Sequence, residues 1–201
     1  MPKRLLIKGV RVSRRGFAGL LLEYNSRSIC IDPGSALEGC GVVLCTHSHA
    51  RHCLPDVVGS LSELVSPFAG RLVKPGGSLE VSGVRVSAFD AYNRPELSGE
   101  PVPHPRGLGV GFLLAFPSGL RVCYTGDTDL VEEVVEACRG VDLLAVPVGG
   151  GCVMAPEEAL ELIRSVRPAI TLPLHAEKPE QYFKLRDMAQ PYTQVVILRE
   201  A

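Results

Sequence analysis

Long apolar runs and an excess of charge of one sign are both missing from this sequence. Its longest apolar runs, 19–22 and 109–116, are far shorter than the roughly 20 residues that span a bilayer, so we expect no membrane helix. The formal net charge is −1, so the charge balance does not favour nucleic acid or a membrane surface as a partner. A basic residue interrupts the apolar stretch near the N-terminus and no secretory segment follows, so we expect a cytoplasmic protein.

Tryptophan and the C-x-x-C spacing are missing as well, although cysteine is plentiful. Without that spacing, neither a zinc ribbon nor a thioredoxin-type redox motif is present. Cys30, Cys45 and Cys123 lie in apolar, strand-like runs, where cysteine usually behaves as a small buried hydrophobe. We therefore expect reduced thiols in the core. The alternative is one or two structural disulfides, which occur inside hyperthermophiles, and the 16 arginines against 5 lysines favour a thermophilic source.

The rest of the chain alternates short apolar strands with helices, which is typical of an α/β domain with helices outside layered sheets. We expect one domain over residues 1–201. Strands are predicted at 4–8, 20–24, 28–31, 41–45, 108–116, 120–124, 142–146, 170–174 and 194–198, with strand and turn material between 65 and 86. Helices are predicted at 129–138, 156–166 and 179–188. A further helix is predicted from Pro55, with Val57, Leu61 and Leu64 on one face.

Three histidines follow the strand at 41–45 within the segment C-T-H-S-H-A-R-H-C (45–53). His47 and His49, two residues apart on a tight loop, can converge on one metal ion, and His52 can reach a second position. Imidazole is a good ligand for Zn, Fe, Ni and Cu. The segment therefore predicts a transition-metal site.

The remaining two histidines and one aspartate also lie in stiff loops or at strand ends. His104 lies between two prolines, which fix the direction of its ring. Asp127 follows a strand in a glycine-containing turn and is well placed to bridge two cations, and His175 ends another strand. Loops of this kind are where α/β folds carry their ligand sites.

These segments resemble the metallo-β-lactamase superfamily, and within it the short Zn-dependent hydrolases related to ascorbate-phosphate lactonases. The matching segments occur in the family's order: I-D-P-G (31–34), C-T-H-S-H-A-R-H-C (45–53), A-Y-N (91–93), H-P-R-G-L-G-V-G-F (104–112), Y-T-G-D-T-D (124–129), V-D-L-L-A-V-P-V-G-G (141–150) and L-P-L-H (172–175). The resemblance implies a four-layer αββα sandwich with metals in a groove at one edge of the two sheets.

The resemblance also implies a ligand set and a reaction. The first metal would be held by His47, His49 and His104, the second by His52 and His175, and Asp127 would bridge them. One or two zinc ions are expected, with Fe, Mn or Ni as alternatives. A metal-bound hydroxide would attack an ester, lactone or phosphodiester. The alternative is a degenerate protein with one metal or none, which binds a ligand without catalysis.

Arg51 departs from the family pattern, which has Asp at this position, and it leaves three interpretations open. Arginine offers only donors and would repel a cation. In the first interpretation the site is mononuclear, with Arg51 replacing the second cation as a catalytic residue that pairs with Asp127 or binds an anionic substrate. In the second, Arg51 points outward and the site is dinuclear, with Asp56 or Cys53 as a replacement ligand. In the third, the site is degenerate.

The substrate is expected to be a small molecule, anionic if an arginine contacts it. Arg106, Tyr92 and Asn93 flank the ligand loops and are candidate substrate-binding residues, as is Lys178. Asp32 follows an apolar strand and is expected to hydrogen-bond the histidine loop from behind, as carboxylates behind metal ligands often do.

Overall fold

The computed structural model describes residues 1–54, 63–98 and 101–200 and contains two seven-stranded sheets packed face to face. In chain order, the first sheet consists of β1 (Arg4–Ile7), β2 (Val10–Arg15), β3 (Gly19–Tyr24), β4 (Arg27–Ile31), β5 (Val42–Leu44), β6 (Glu63–Ser66) and β7 (Arg71–Leu72). The second consists of β8 (Ser78–Val81), β9 (Val84–Asp90), β10 (Val110–Ala115), β11 (Arg121–Tyr124), β12 (Leu143–Pro147), β13 (Ile170–Leu174) and β14 (Gln194–Val195). The described helices are α1 (Pro95–Ser98), α2 (Glu132–Ala137), α3 (Pro156–Val166) and α4 (Pro179–Ala189).

Each sheet is antiparallel at its start and parallel at its end. Strands β1 to β4 form a meander, and β4 to β7 then run parallel. In the second sheet β8 to β11 are antiparallel and β11 to β14 are parallel. Three hairpin turns have positive φ at both central residues, Lys8-Gly9, Asn25-Ser26 and Ser82-Gly83, as the right-handed twist of hairpins favours.

Strand β2 was not among the predicted strands. It contains Arg11, Ser13 and two further arginines, which break up the apolar pattern. Val10 and Val12 are nevertheless fully buried. Their side chains point into the core with the period of two that is expected of a half-buried strand.

The main core lies between the sheets and contains apolar side chains from both, including Leu20, Leu44, Phe112 and Leu143. Helices α2, α3 and α4 cover the outer face of the second sheet, and the αββα sandwich is confirmed. Helix α2 is shorter than the predicted 129–138. Its start is displaced because the Asp129 carboxylate accepts hydrogen bonds from Asn93 and from the backbone of Arg94.

The outer face of the first sheet carries a smaller apolar cluster around Leu21, Val43 and Leu64. The helix predicted from Pro55 falls largely on residues 55–62, which lie outside the described residues. Leu64, assigned to that helix from the sequence, lies in β6 instead. It is buried there, so its apolar character reflects the strand's packing.

The expectation of reduced thiols is wrong, because six of the seven cysteines form disulfides. The pairs are Cys30–Cys40, Cys45–Cys53 and Cys123–Cys138, with Cα separations of 5.5, 5.9 and 5.5 Å. These separations are ordinary for disulfides. Cys152 is the one cysteine left as a thiol. One bridge, Cys45–Cys53, spans the segment with three histidines and so closes the predicted metal loop.

Candidate metal centre

The carboxylate of Asp127 lies at the centre of a cluster of imidazoles. Its Oδ2 atom is 3.0 Å from Nε2 of His175, 3.2 Å from Nε2 of His52, 3.6 Å from Nε2 of His104 and 3.8 Å from Nε2 of His47. Asp127 is only 6% exposed. One buried oxygen therefore faces four nitrogen bases, which is the arrangement expected of a carboxylate that bridges two cations.

Strand ends from both sheets converge to build this cluster. Asp127 follows β11, His175 follows β13, and the loop with His47 and His52 follows β5. A hydrogen bond from the backbone amide of Val110 to the carbonyl of Thr46, 3.0 Å long, ties the two sheets together at this edge. The carboxyl ends of strands are where open α/β sheets place their ligand sites.

Two glycines allow the backbone to approach closely here. Gly126 has φ of +69°, and a Cβ at this position would lie 2.9 Å from the carbonyl oxygen of Val110. A Cβ on Gly149 would lie 2.4 Å from the carbonyl oxygen of His175. His175 itself has φ of +54°, a left-handed conformation that non-glycine residues rarely adopt and that clusters at functional sites. Gly149 therefore makes room for the backbone that presents His175.

The ligand atoms form three groups in which all members lie within 4.8 Å of one another. The first contains His47, His104 and Asp127, and the second contains His52, Asp127 and His175. Asp127 is common to both groups, and their assignment to two metal positions stays a prediction. His49 is exposed and groups with His47 and His52, so its assignment to the first metal stays a prediction.

The far nitrogens of three imidazoles are held by hydrogen bonds from behind. Nδ1 of His52 is 3.1 Å from Oδ2 of Asp32, Nδ1 of His104 is 2.7 Å from Oδ1 of Asn93, and Nδ1 of His47 is 2.9 Å from Oγ1 of Thr46. The expected role of Asp32 behind the histidine loop is confirmed. Such partners fix the tautomer and orientation of metal-binding histidines.

The direction of each hydrogen bond follows from the available protons. The Thr46 hydroxyl donates its only proton to Asp32 at 2.5 Å, so its oxygen accepts from Nδ1 of His47. The carboxylate of Asp32 and the amide oxygen of Asn93 are acceptors. Each of these imidazoles therefore donates from Nδ1, which makes Nε2 the nitrogen available to bind a cation.

Two of the inward-facing nitrogens are buried without a partner among the described residues, which indicates whether a metal fits the site. Nε2 of His47 and Nε2 of His52 are buried and make no hydrogen bond to the described residues. For His52 the 3.2 Å approach to Asp127 lacks hydrogen-bonding geometry. Buried polar atoms without partners are rare and call for a missing partner such as an ion. Nitrogen bases around an ionised carboxylate are a donor set suited to a transition-metal dication.

Burial and the carboxylates set the charges of the cluster. Burial lowers the pKa of His47 to about 4. Burial also opposes the charge of His52, but the nearby carboxylates of Asp127 and Asp32 outweigh it and raise that pKa to about 10. Burial raises the pKa of Asp127, but His175 and His52 hold it far below its usual range. Asp127 is therefore ionised at neutral pH, and a cation bound by His52 must displace a proton.

Arg51 lies outside the cluster. Its guanidinium pairs with the carboxylate of Glu177 and stacks over the ring of Phe17, 3.3 Å from the ring centroid. The Phe17 ring in turn packs edge-on against His175 at 4.5 Å. The pairing of Arg51 with Asp127, one option within the mononuclear interpretation, is not seen in the described residues, because Glu177 and Phe17 hold the guanidinium at the rim. Of the suggested replacement ligands, Cys53 lies in a disulfide and Asp56 lies outside the described residues.

The candidate substrate-binding residues occupy a neighbouring network. Arg106 pairs with Asp90 at 3.2 Å and with Glu133, and the Tyr92 hydroxyl donates to Glu133 at 3.1 Å. Asn93 is 1% exposed and faces His104 from behind. Their contact with substrate stays a prediction, as does that of Lys178. A cavity of about 580 Å³ opens beside His47, His104 and Asp127, and most of its wall was not anticipated from the sequence.

The sequence is similar to those of known proteins. Residues 11–175 match the family model described as the beta-lactamase superfamily domain. A protein from Pelotomaculum thermopropionicum named as a metal-dependent hydrolase is 28% identical over 194 residues, which cover 83% of this chain and 84% of that protein. One of the same name from Thermoplasma acidophilum is 27% identical over 67% of this chain, and the chain spans 64% of its length.

Solved structures share the fold. A protein from Parabacteroides distasonis with the provisional name metal-dependent hydrolase superposes with a TM-score of 0.86 at 23% identity, over 100% of this chain and 99% of the other. Igni18, a metallo hydrolase from Ignicoccus hospitalis, superposes with a TM-score of 0.72 at 20% identity, over 95% of each chain. Among the described residues, no helix combines the length and the apolar character needed to cross a membrane.

The disulfide around the ligand loop generates a prediction with an internal control. We expect Cys45→Ala/Cys53→Ala to lower the free energy of unfolding by about 2–3 kcal/mol, because the unfolded chain has more conformational entropy without the bridge. We expect the same order of loss from Cys123→Ala/Cys138→Ala, whose bridge lies away from the histidines. The first variant should also weaken metal binding roughly tenfold, as loss of a support behind the ligands does. Chemical denaturation and competition with a chromogenic chelator measure the two effects, and equal metal affinities in both variants would contradict the assignment.

Asn93 gives a second prediction. Asn93→Ala removes the acceptor that orients His104, so metal affinity should fall about 10- to 100-fold. Gln190→Ala, at the exposed end of α4, serves as the control and should bind metal as the unmodified protein does. Calorimetric titration of the metal-free protein with zinc measures both, and an unchanged affinity in Asn93→Ala would show that His104 needs no support.

Proposed function

Because the chain belongs to the beta-lactamase superfamily, we propose that it is a metal-dependent hydrolase with two metal ions bridged by Asp127. The observation that carries this proposal is the buried Oδ2 atom of Asp127, which faces four imidazole nitrogens at 3.0 to 3.8 Å. The names of the relatives support it. A carboxylate common to two ligand groups is the feature that two-metal hydrolases use to hold their ions close together.

The residues divide between two positions in the proposed centre. His47 and His104, with His49 beside them, would hold one ion, and His52 and His175 would hold the other. When bound, the pair of ions would supply an activated water and stabilise negative charge that develops on an ester, lactone or phosphodiester. Zinc is the proposed metal because it favours imidazole and carboxylate ligands, although Fe, Mn and Ni accept the same donors.

Side chains around the proposed centre orient its ligands before a metal binds. Asp32 accepts from His52 and Thr46 at once and is fully buried, so one carboxylate fixes the histidine loop at two points. Asp127 stays ionised because imidazoles surround it. Each inward nitrogen is therefore aimed before any ion arrives, which reduces the reorganisation that binding costs.

The position of Arg51 favours the dinuclear interpretation over the mononuclear one. A guanidinium that replaces the second cation would lie where that ion sits, between His52 and His175. Its contacts with Glu177 and Phe17 instead keep it at the rim, so its charge does not replace the second cation.

We expect Arg51→Asp and Arg51→Ala to bind about two metals per chain, as the unmodified protein does, since neither change alters the ligands. Elemental analysis after dialysis measures the ratio. The mononuclear model makes a different prediction, a rise from about one to about two in Arg51→Asp alone, and that result would refute the dinuclear proposal.

The reaction itself is tested by removal and return of the metal. The metal-free protein should be inactive on a panel of aryl esters, lactones and phosphodiesters, and reconstitution with zinc should restore turnover of at least one class. Asp127→Asn should lower turnover by more than the roughly 10- to 100-fold that is lost when a residue behind a metal ligand is changed. Asp142→Asn, in an exposed pair with Lys8, is the control. A reconstituted protein with a full complement of metal and no turnover on any class would overturn the proposal.

A further inference from the structure

The cavity beside the metal centre is largely apolar away from the histidines. Its walls include Pro67 and Phe68 from the β6–β7 loop, Leu72 of β7, and Leu108 from the segment before β10, while His104 and Asp127 form one end. Its volume of about 580 Å³ is in the range of pockets that enclose small organic molecules. The reacting end is polar, so the wall must contact a part of the substrate that does not react.

Two leucines at the mouth of this cavity are unusually exposed. Leu72, in β7 of the first sheet, is 62% exposed, and Leu108, in the turn before β10 of the second sheet, is 64% exposed. Both line the same cavity. Exposed apolar side chains gathered at a groove indicate a ligand that covers them, because water contact with such surface is unfavourable.

One cation lies in the cavity wall. Lys74 is exposed, and its ammonium donates to the carbonyl oxygen of Pro67 at 2.7 Å. Within residues 1–54, 63–98 and 101–200, it pairs with no carboxylate. The two arginines expected to contact substrate differ from it, since Arg51 pairs with Glu177, and Arg106 pairs with two carboxylates. Lys74 is thus the cation best able to bind an anion beside the apolar wall.

We propose that the substrate is amphipathic, with an apolar chain or ring between the bond that is cleaved and a terminal carboxylate. The apolar part contacts Phe68, Leu72 and Leu108, and the carboxylate binds Lys74. This inference rests on the proposed hydrolase function, because it places the cleaved bond at Asp127 and the histidines.

A series of p-nitrophenyl esters tests the apolar contact. We expect kcat/KM to rise from acetate to butyrate to octanoate, by at most about fourfold for each buried methylene. Leu72→Ala and Leu108→Ala should each lower the value for octanoate roughly fivefold and leave that for acetate unchanged. Leu6→Ala is the matched control, since Leu6 is 72% exposed and lies in β1, outside the cavity wall.

The mono-p-nitrophenyl ester of octanedioate tests the cation. It should be cleaved about fivefold faster than the octanoate ester at low substrate concentration, and Lys74→Met should abolish this preference. Lys3 is an exposed lysine outside the cavity wall, so Lys3→Met should retain the preference for the octanedioate ester. A preference that survives in Lys74→Met would overturn the assignment of the anion site.

Calorimetric binding to the metal-loaded protein separates this inference from the proposed function. Octanedioate should bind more tightly than octanoate, and the difference should vanish in Lys74→Met. If this holds while no ester, lactone or phosphodiester is hydrolysed, the cavity assignment stands and the hydrolase proposal fails. If esters are cleaved with no dependence on chain length, on the two leucines or on Lys74, the hydrolase proposal stands and the cavity assignment fails.

Discussion

A carboxylate as buried as that of Asp127 is costly to keep ionised unless cations or donors surround it. Here the surroundings are four imidazoles, contributed by two loops and the end of β13. Each loop must therefore reach the same point, and the two sheets must meet at one edge for this to happen. The fold therefore has to bring the imidazoles to the carboxylate of Asp127, and the edge where the two sheets meet is where the metal centre lies.

A second buried carboxylate supports the first from behind. Asp32 lies at the end of β4 and accepts from His52, from the Thr46 hydroxyl and amide, and from the Tyr124 hydroxyl at 3.2 Å. Tyr124 ends β11 in the second sheet, so this one side chain links both sheets to the histidine loop. Buried polar networks of this kind, when fully satisfied, make a site rigid. The disulfide between Cys45 and Cys53 adds a covalent closure to the same loop.

Some of this arrangement could be predicted from the sequence, for identifiable reasons. Three histidines after an apolar strand, and single metal-binding residues after two others, indicate a shared site because strand ends meet at one edge of a sheet. Strands and helices with clear periodicity, such as α3, were predicted closely. The role of Asp32 followed from its place at the end of a buried strand.

Other features depend on contacts between distant parts of the chain and left little trace in the sequence. Cysteine pairing depends on Cα separations across elements, so buried thiols and disulfides looked alike. The direction of Arg51 is set by Glu177, far away in the sequence, and by Phe17. The exposure of Leu72 and Leu108 depends on how the two sheets frame the cavity. The need for glycine at position 149 comes from the backbone of His175, which is distant in the sequence.

The measurement that tests the central claim most directly is anomalous X-ray scattering at the zinc edge from crystals of the zinc-loaded protein. We predict two peaks roughly 3.5–4 Å apart, one beside His47 and His104 and the other beside His52 and His175, with Asp127 between them. A single peak, or a guanidinium of Arg51 in place of the second ion, would contradict it.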